Sequence, residues 1–208
     1  LAGNMLGRPN PSEWPTFMAW AEREGWRVPA RELALYRLEL TESAFVLRDG
    51  EGQPLGFVTV CRHPRSAWVG NLIIDPARRG AGFGSLLFKH AVSTMSGYGI
   101  ANLWLTASAD GRPIYESCGF RETGRVERWV LRGVGSSCGR SDPADRNDLY
   151  QLARADATAW GDCRVGLLTL LARGGRIISS GSTVALLQPG TDMHILGPWL
   201  SADLCPRA

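Results

Sequence analysis

Apolar residues follow two rhythms along this chain, one helical and one extended. Ser12 is a plausible N-cap and Gly25 a stop, which predicts a helix through about Glu24. Pro29 opens a second predicted helix that runs to about Leu40. The rhythm then becomes strand-like over 43–48, 54–62 and 67–75, with Asp49-Gly50-Glu51-Gly52 and His63-Pro64-Arg65 as the turns between. Leu86, Leu87, His90 and Ala91 return to helical spacing and predict a helix over 82–96. A strand over 101–107, a short helix over 113–118 and two closing strands within 120–131 complete this series. Gly133-Val-Gly-Ser-Ser-Cys-Gly139 has the composition of a linker. Beyond it the order begins again: helices to about Ala159 and over 164–172, then strands over 176–180, 183–188 and 193–197. Gly197-Pro198 stands there where Asp75-Pro76 stood in the first series.

The passage from the 67–75 strand into the 82–96 helix carries the clearest chemistry. It reads Asn71-Leu-Ile-Ile-Asp-Pro-Ala-Arg-Arg-Gly-Ala-Gly-Phe-Gly-Ser85. A helix start presents unpaired backbone N–H groups and a partial positive charge. Glycines there let an anion approach those donors closely, and Arg78 and Arg79 add full charge. By themselves the glycines fit a packing role equally well. Two commoner nucleotide motifs are absent: there is no Gly-x-x-x-x-Gly-Lys-Ser/Thr, and the third glycine of Gly-x-Gly-x-x-Gly would fall at Leu87.

The spacing Arg79-x-x-Gly82-x-Gly84 resembles the acyl-CoA pyrophosphate loop of the GNAT superfamily of N-acetyltransferases. Downstream, Tyr115-Glu-Ser-Cys-Gly119-Phe120 is similar to the second signature of that family, Tyr-Glu-x-x-Gly-Phe. The resemblance covers about Leu6 to Arg132. It implies an α/β fold with a mixed, mostly antiparallel sheet flanked by helices. The second series then reads as a partial repeat of that architecture without its cofactor loop. The alternative is an α/β extension unrelated to the first half. The domains expected are 1–132 for the acetyltransferase, 133–141 for the linker and 142–208 for the partial copy.

The resemblance also implies chemistry: an acetyl group passes from acetyl-CoA to an amine by direct attack on the thioester. Leu72, Ile73 and Ile74 would meet the pantetheine through their backbone, and Arg79, Gly80, Ala81, Gly82, Phe83, Gly84 and Ser85 the pyrophosphate. Tyr115 is the candidate acid for the departing thiolate, since a phenol stays protonated at neutral pH. A core tyrosine closing the short helix is the other reading. Ser108 stands where relatives often carry Asn, which places the pantetheine contact at that point in question. Glu22, Glu24 and Trp26 lie in a region that lines the acceptor pocket in relatives, and Glu24 with Trp26 would suit a cationic amine. They are equally explained as solvated charges and a packed ring. No carboxylate occurs between Cys61 and Ile74, His63 beside Pro64 reads equally well as a turn residue, and no base is assigned.

Composition narrows the remaining choices. Apolar residues make up 44% and charged residues 21%, ordinary values for a globular protein, and no apolar run approaches the roughly 20 residues that span a bilayer. A net charge of +3 with scattered arginine pairs argues against nucleic acid as a partner. Five scattered cysteines form no disulfide framework and no metal-ligand spacing. The polar start Leu1-Ala-Gly-Asn4 lacks a signal-peptide pattern, and the expectation is a cytoplasmic protein. Of the eight tryptophans, Trp20, Trp68 and Trp104 are expected in the core. Two rival readings stay open: a module that binds acetyl-CoA without chemistry, and a second half that builds an interface, such as a homodimer, through Ile195, Leu196 and Trp199.

Overall fold

The computed structural model describes residues 3–127, 129–131, 146–190 and 193–202. They fall into two compact units, Leu1–Glu127 and Arg128–Ala208. The first holds a five-stranded sheet in the order β1-β2-β3-β4-β5, formed by Met5–Gly7, Ala44–Arg48, Pro54–Arg62, Ser66–Ile74 and Asn102–Leu105. Neighbours are antiparallel except β4 and β5, which run parallel. Between β4 and β5 lies the long helix α3, Phe83–Gly97, as a parallel crossover requires. Helix α1, Trp14–Arg23, follows a 3-10 turn at Pro11–Glu13. Helix α2, Ala30–Ala34, begins after Pro29 and widens into a π-helical turn at Leu35–Glu39. The short helix α4, Arg112–Ser117, follows β5.

Alternation along the strands sends side chains to two separate cores, one on each face of the sheet. Phe45, Leu47, Val58, Val60, Ala67 and Val69 pack with Leu87, Phe88, Ala91 and Met95 of α3. On the opposite face Val46, Phe57 and Ile73 pack with Trp14, Phe17, Trp20 and Ala21 of α1. Phe57 is the centre of that second core, with the rings of Trp14, Phe17 and Trp20 at 6.2, 5.7 and 5.7 Å. Burying each such ring contributes roughly 1.5–3 kcal/mol. At the start of α1, Glu13 accepts from the Asn10 N–H at 2.5 Å and pairs with Arg48 of β2 at 2.6 Å, which anchors the helix to the sheet.

The second unit repeats the order of elements: α5 (Arg146–Trp160), α6 (Val165–Ala172), then antiparallel β6 (Arg176–Ser180), β7 (Thr183–Gln188) and β8 (Ile195–Ser201). Its core is Leu152, Leu168, Val184 and Leu186. Asp156, almost fully buried, is held by a bidentate Arg164, whose guanidinium lies 4.1 Å from the Trp160 ring.

The structure corrects several expectations. The described residues within 120–131 form no strand, and Trp129 and Leu131 are exposed. Trp104 is 41% exposed because it projects from β5 at the sheet edge, whereas Trp20 is buried as expected. Strand β8 does not stop at Gly197 but runs through Pro198 to Ser201. A proline lacks the N–H that a central strand would need, and β8 is an edge. Strand β1 carries no clear signal in the sequence, since its three residues hold too little pattern. The linker over 133–141 lies outside the described residues.

Candidate functional site

Strands β3 and β4 do not stay in step. Phe57 faces Ile73 and Thr59 faces Gly70, so two steps along β3 oppose three along β4. Asn71 lies in this bulge with φ at +53°, a conformation that Asn tolerates better than most residues. The bulge redirects Leu72, Ile73 and Ile74 just before the strand ends. Asp75 then closes a 3-10 turn over Pro76–Arg78: its Oδ1 accepts from the Ala77 N–H at 3.0 Å and its carbonyl from the Arg78 N–H at 2.8 Å.

The loop from Arg79 to Gly82 is exposed and leads directly into α3. Gly82 is the N-cap residue of α3 with φ at +82°, and a Cβ there would meet nothing within 4 Å. Leu86 donates the first helical hydrogen bond, to the Gly82 carbonyl, so the N–H groups of Phe83, Gly84 and Ser85 precede the helical ladder. Exposed glycine backbone, leading N–H groups and the helix dipole converge on one spot, with Arg78 and Arg79 beside it. An anion of phosphate character fits that arrangement. Gly84 has a different task from the one expected of it. It is buried, and a Cβ would stand 3.1 Å from Ile114 of α4, so its lack of a side chain lets α4 pack onto the start of α3.

That contact brings the tyrosine helix beside the loop. The Tyr115 ring packs against Phe88 at 4.9 Å and Phe120 at 6.5 Å. Burial pushes its hydroxyl above the ordinary phenol value, which keeps it protonated. Gly111, the N-cap residue of α4, sits below it: a Cβ there would come 3.2 Å from the hydroxyl and 3.3 Å from Ser108 Oγ. Ser108 Oγ in turn accepts from the Gly111 N–H at 3.2 Å. Gly111 gave no signal in the sequence, because its constraint is a neighbour that only the fold supplies.

Of the residues expected near an acceptor, Glu24 is already paired with a cation of the loop. Its carboxylate is 2.6 Å from Arg79 Nη2, and Arg79 Nε donates to the Ile74 carbonyl at 3.3 Å. Trp26 is partly exposed just beyond α1, with its N–H on the Ala21 carbonyl. His63 is buried at the β3–β4 turn, at the end of these strands away from the loop.

The sequence reading missed a polar cluster on the α1–α2 face of the bulge. Asn71 Nδ2 donates to Glu32 Oε1 and to Thr59 Oγ1, each at 3.1 Å. Tyr36 shares a hydrogen bond with Thr59, and burial pushes its phenol far above the usual value. Tyr36 lies in the π-helical turn Leu35–Glu39, a widened geometry that is often found at functional positions. Tyr36 also borders a cavity of about 280 Å³ lined by Arg8, Pro11, Trp14, Arg37 and Glu42, which includes none of the loop residues. Among the described residues, no cluster of His, Cys, Asp and Glu could hold a metal ion, and no helix is long and apolar enough to cross a membrane.

Comparison with known proteins gives this geometry a context. Residues 41–122 match the model of the acetyltransferase (GNAT) domain. No curated protein matches the chain. Among solved structures, a Pyrococcus horikoshii protein assigned as an acetyltransferase superposes on 97% of this chain and 72% of its own, with TM-score 0.74 and 18% identity. An acetyltransferase of Trypanosoma brucei and a transcriptional regulator of Bacillus halodurans each cover 62% of this chain and 99% of their own, at TM-score 0.50 and 21% and 18% identity. The run from β2 through the bulged strand, the Arg- and Gly-rich loop and α3 to the tyrosine helix α4 is therefore the part of the chain that matches a GNAT acetyltransferase domain.

Proposed function

We propose that the protein is an acyl-CoA-dependent N-acyltransferase that transfers acetyl from acetyl-CoA to a primary amine by direct attack. The observation that carries this reading is the junction of bulged β4, the open loop at Arg79–Gly82 and the first turn of α3. In this reading the N–H groups of Phe83, Gly84 and Ser85, with Arg79, Gly80 and Ala81, hold the pyrophosphate. The backbone of Leu72, Ile73 and Ile74 meets the pantetheine, and an N–H near Ile74 polarises the thioester carbonyl. Tyr115, kept protonated by burial, gives its proton to the departing thiolate. Glu24 and Trp26 border the acceptor. The amine belongs to a small molecule or a peptide. The domain limits proposed are 1–132, with 142–208 as a partial copy, and a homodimer through exposed Ile195, Leu196 and Trp199 is tested by light scattering.

Free thiol released from acetyl-CoA in the presence of polyamines, amino acids, aminoglycosides and peptides tests the reaction. Turnover with at least one amine above the hydrolytic background is expected, and none across the panel counts against it. The absence of a carboxylate between Cys61 and Ile74, together with the fold shared with a transcriptional regulator, favours a second reading: a module that binds acetyl-CoA without chemistry. Calorimetry separates the two, since tight acetyl-CoA binding without acyl transfer is the signature of the second.

A further inference from the structure

We infer that Glu32, held at the β4 bulge by Asn71, is the group that takes the proton from the acceptor amine, and that the acceptor is therefore a cationic primary amine. This inference rests on the acyltransferase reading. Its ground is position. Asn71 is the bulge residue immediately before Leu72, Ile73 and Ile74, and its amide reaches away from the α3 face to bind Glu32 and Thr59. A carboxylate from α2 thus stands one hydrogen bond from the strand segment on which the thioester would lie. The strand itself carries no carboxylate between Cys61 and Ile74; the fold brings one to it from a helix distant in sequence.

Three features suit Glu32 to that work. Its Oε1 is fixed by Asn71, and among the described residues no other hydrogen bond to its carboxylate is recorded. It is half-buried, so an amine meeting it is partly stripped of water. Its recorded neighbours in this cluster are uncharged: Asn71, which also binds Thr59 of the sheet, and Tyr36 from its own helical segment, which feels the carboxylate's charge. Burial keeps Tyr36 a phenol, so it contributes no competing charge.

The proton account closes. Glu32 removes one proton from the ammonium and later releases it to solvent. The free amine nitrogen forms a bond to the thioester carbonyl carbon, and the carbon–sulfur bond breaks. The sulfur takes the Tyr115 proton, and the second proton shed by the nitrogen restores Tyr115. One amine and one acetyl-CoA give one amide, one CoA thiol and one proton in solution.

The experiment compares wild type with Glu32→Gln, which keeps an oxygen for Asn71 and loses only the basic group. n-Butylamine serves as the probe, thiol release is followed from pH 6 to 10, and acetyl-CoA affinity is measured by calorimetry on the same preparations. We expect unchanged acetyl-CoA affinity and a loss of roughly 10²-fold in kcat/KM for butylamine at neutral pH. That loss should shrink as the pH approaches the amine's own value of about 10, where free amine no longer needs a base. Equal rates at every pH would overturn the inference. So would a loss that is the same at every pH, or a loss of acetyl-CoA affinity, since either makes Glu32 a structural support of the bulge. A wild type that binds acetyl-CoA but does not accelerate butylamine acetylation overturns this inference alone. A wild type that does not bind acetyl-CoA overturns the acyltransferase reading beneath it.

Discussion

Tyr115 is the residue on which the chemistry and the packing readings divide most cleanly. Its ring sits against Phe88 and Phe120, so Tyr115→Phe preserves the core and removes one hydroxyl. Acyl transfer should then fall by roughly 10²-fold with acetyl-CoA affinity little changed, as turnover and calorimetry on one preparation will show. At Gly82 the backbone sets the terms. With φ at +82°, a valine there is strained by roughly 1–2 kcal/mol whatever space surrounds it, so the loop would move as well as fill. Gly82→Asn suits the backbone better and still places a side chain over the leading N–H groups of α3. Weaker acetyl-CoA binding with a nearly unchanged Tm is expected for Asn, against weaker binding and a lowered Tm for Val.

At the scale of elements, what was legible followed from strong local patterns. The strand over 54–62 and the helix beginning near Gly82 were read nearly to the residue, because apolar runs and glycines mark them in the chain itself. The Arg79-x-x-Gly82 loop was legible for the same reason. What escaped depends on partners. Asn71 looks like any polar strand residue until the register across β3 shows it in a bulge, and Glu32 reads as a solvated helix charge until Asn71 meets it. The segment within 120–131 has a strand's composition, but its described residues form no strand. One contact between elements carries a pH prediction. His90 of α3 stands edge-on to Phe45 of β2 at 5.0 Å, and burial, then the Arg8 guanidinium, holds its imidazole below the usual value. The unfolded chain therefore binds this proton more readily than the folded one. The stabilisation is complete above about 6.5 and declines as pH falls through that value toward the depressed one. A Tm measured from pH 8 to 5 should fall less steeply in His90→Gln than in wild type.

On the scale of the whole molecule, each core cluster draws its buried residues from one unit. In the second unit the Asp156–Arg164 pair joins the end of α5 to the start of α6, and Asp156 is almost entirely out of water. Removing one partner of such a pair leaves an uncompensated charge, at a cost of roughly 3–5 kcal/mol. Asp156→Asn should therefore loosen α5, α6 and their sheet first. Hydrogen exchange will show this as lost protection in 146–188 while β3 and α3 keep theirs.

The Glu24–Arg79 contact implies a trade of counter-ions. Glu24 lies at the C-terminal end of α1, where the helix already carries partial negative charge, and Arg79 relieves both. An anion arriving at the loop would find this guanidinium engaged and would have to win it from a carboxylate. Arg79 would then be neutralised before and after the event, and few mobile ions would be displaced on its account. The loop's dependence on ionic strength should be shallower than its two arginines suggest, and should steepen once Glu24 becomes Gln.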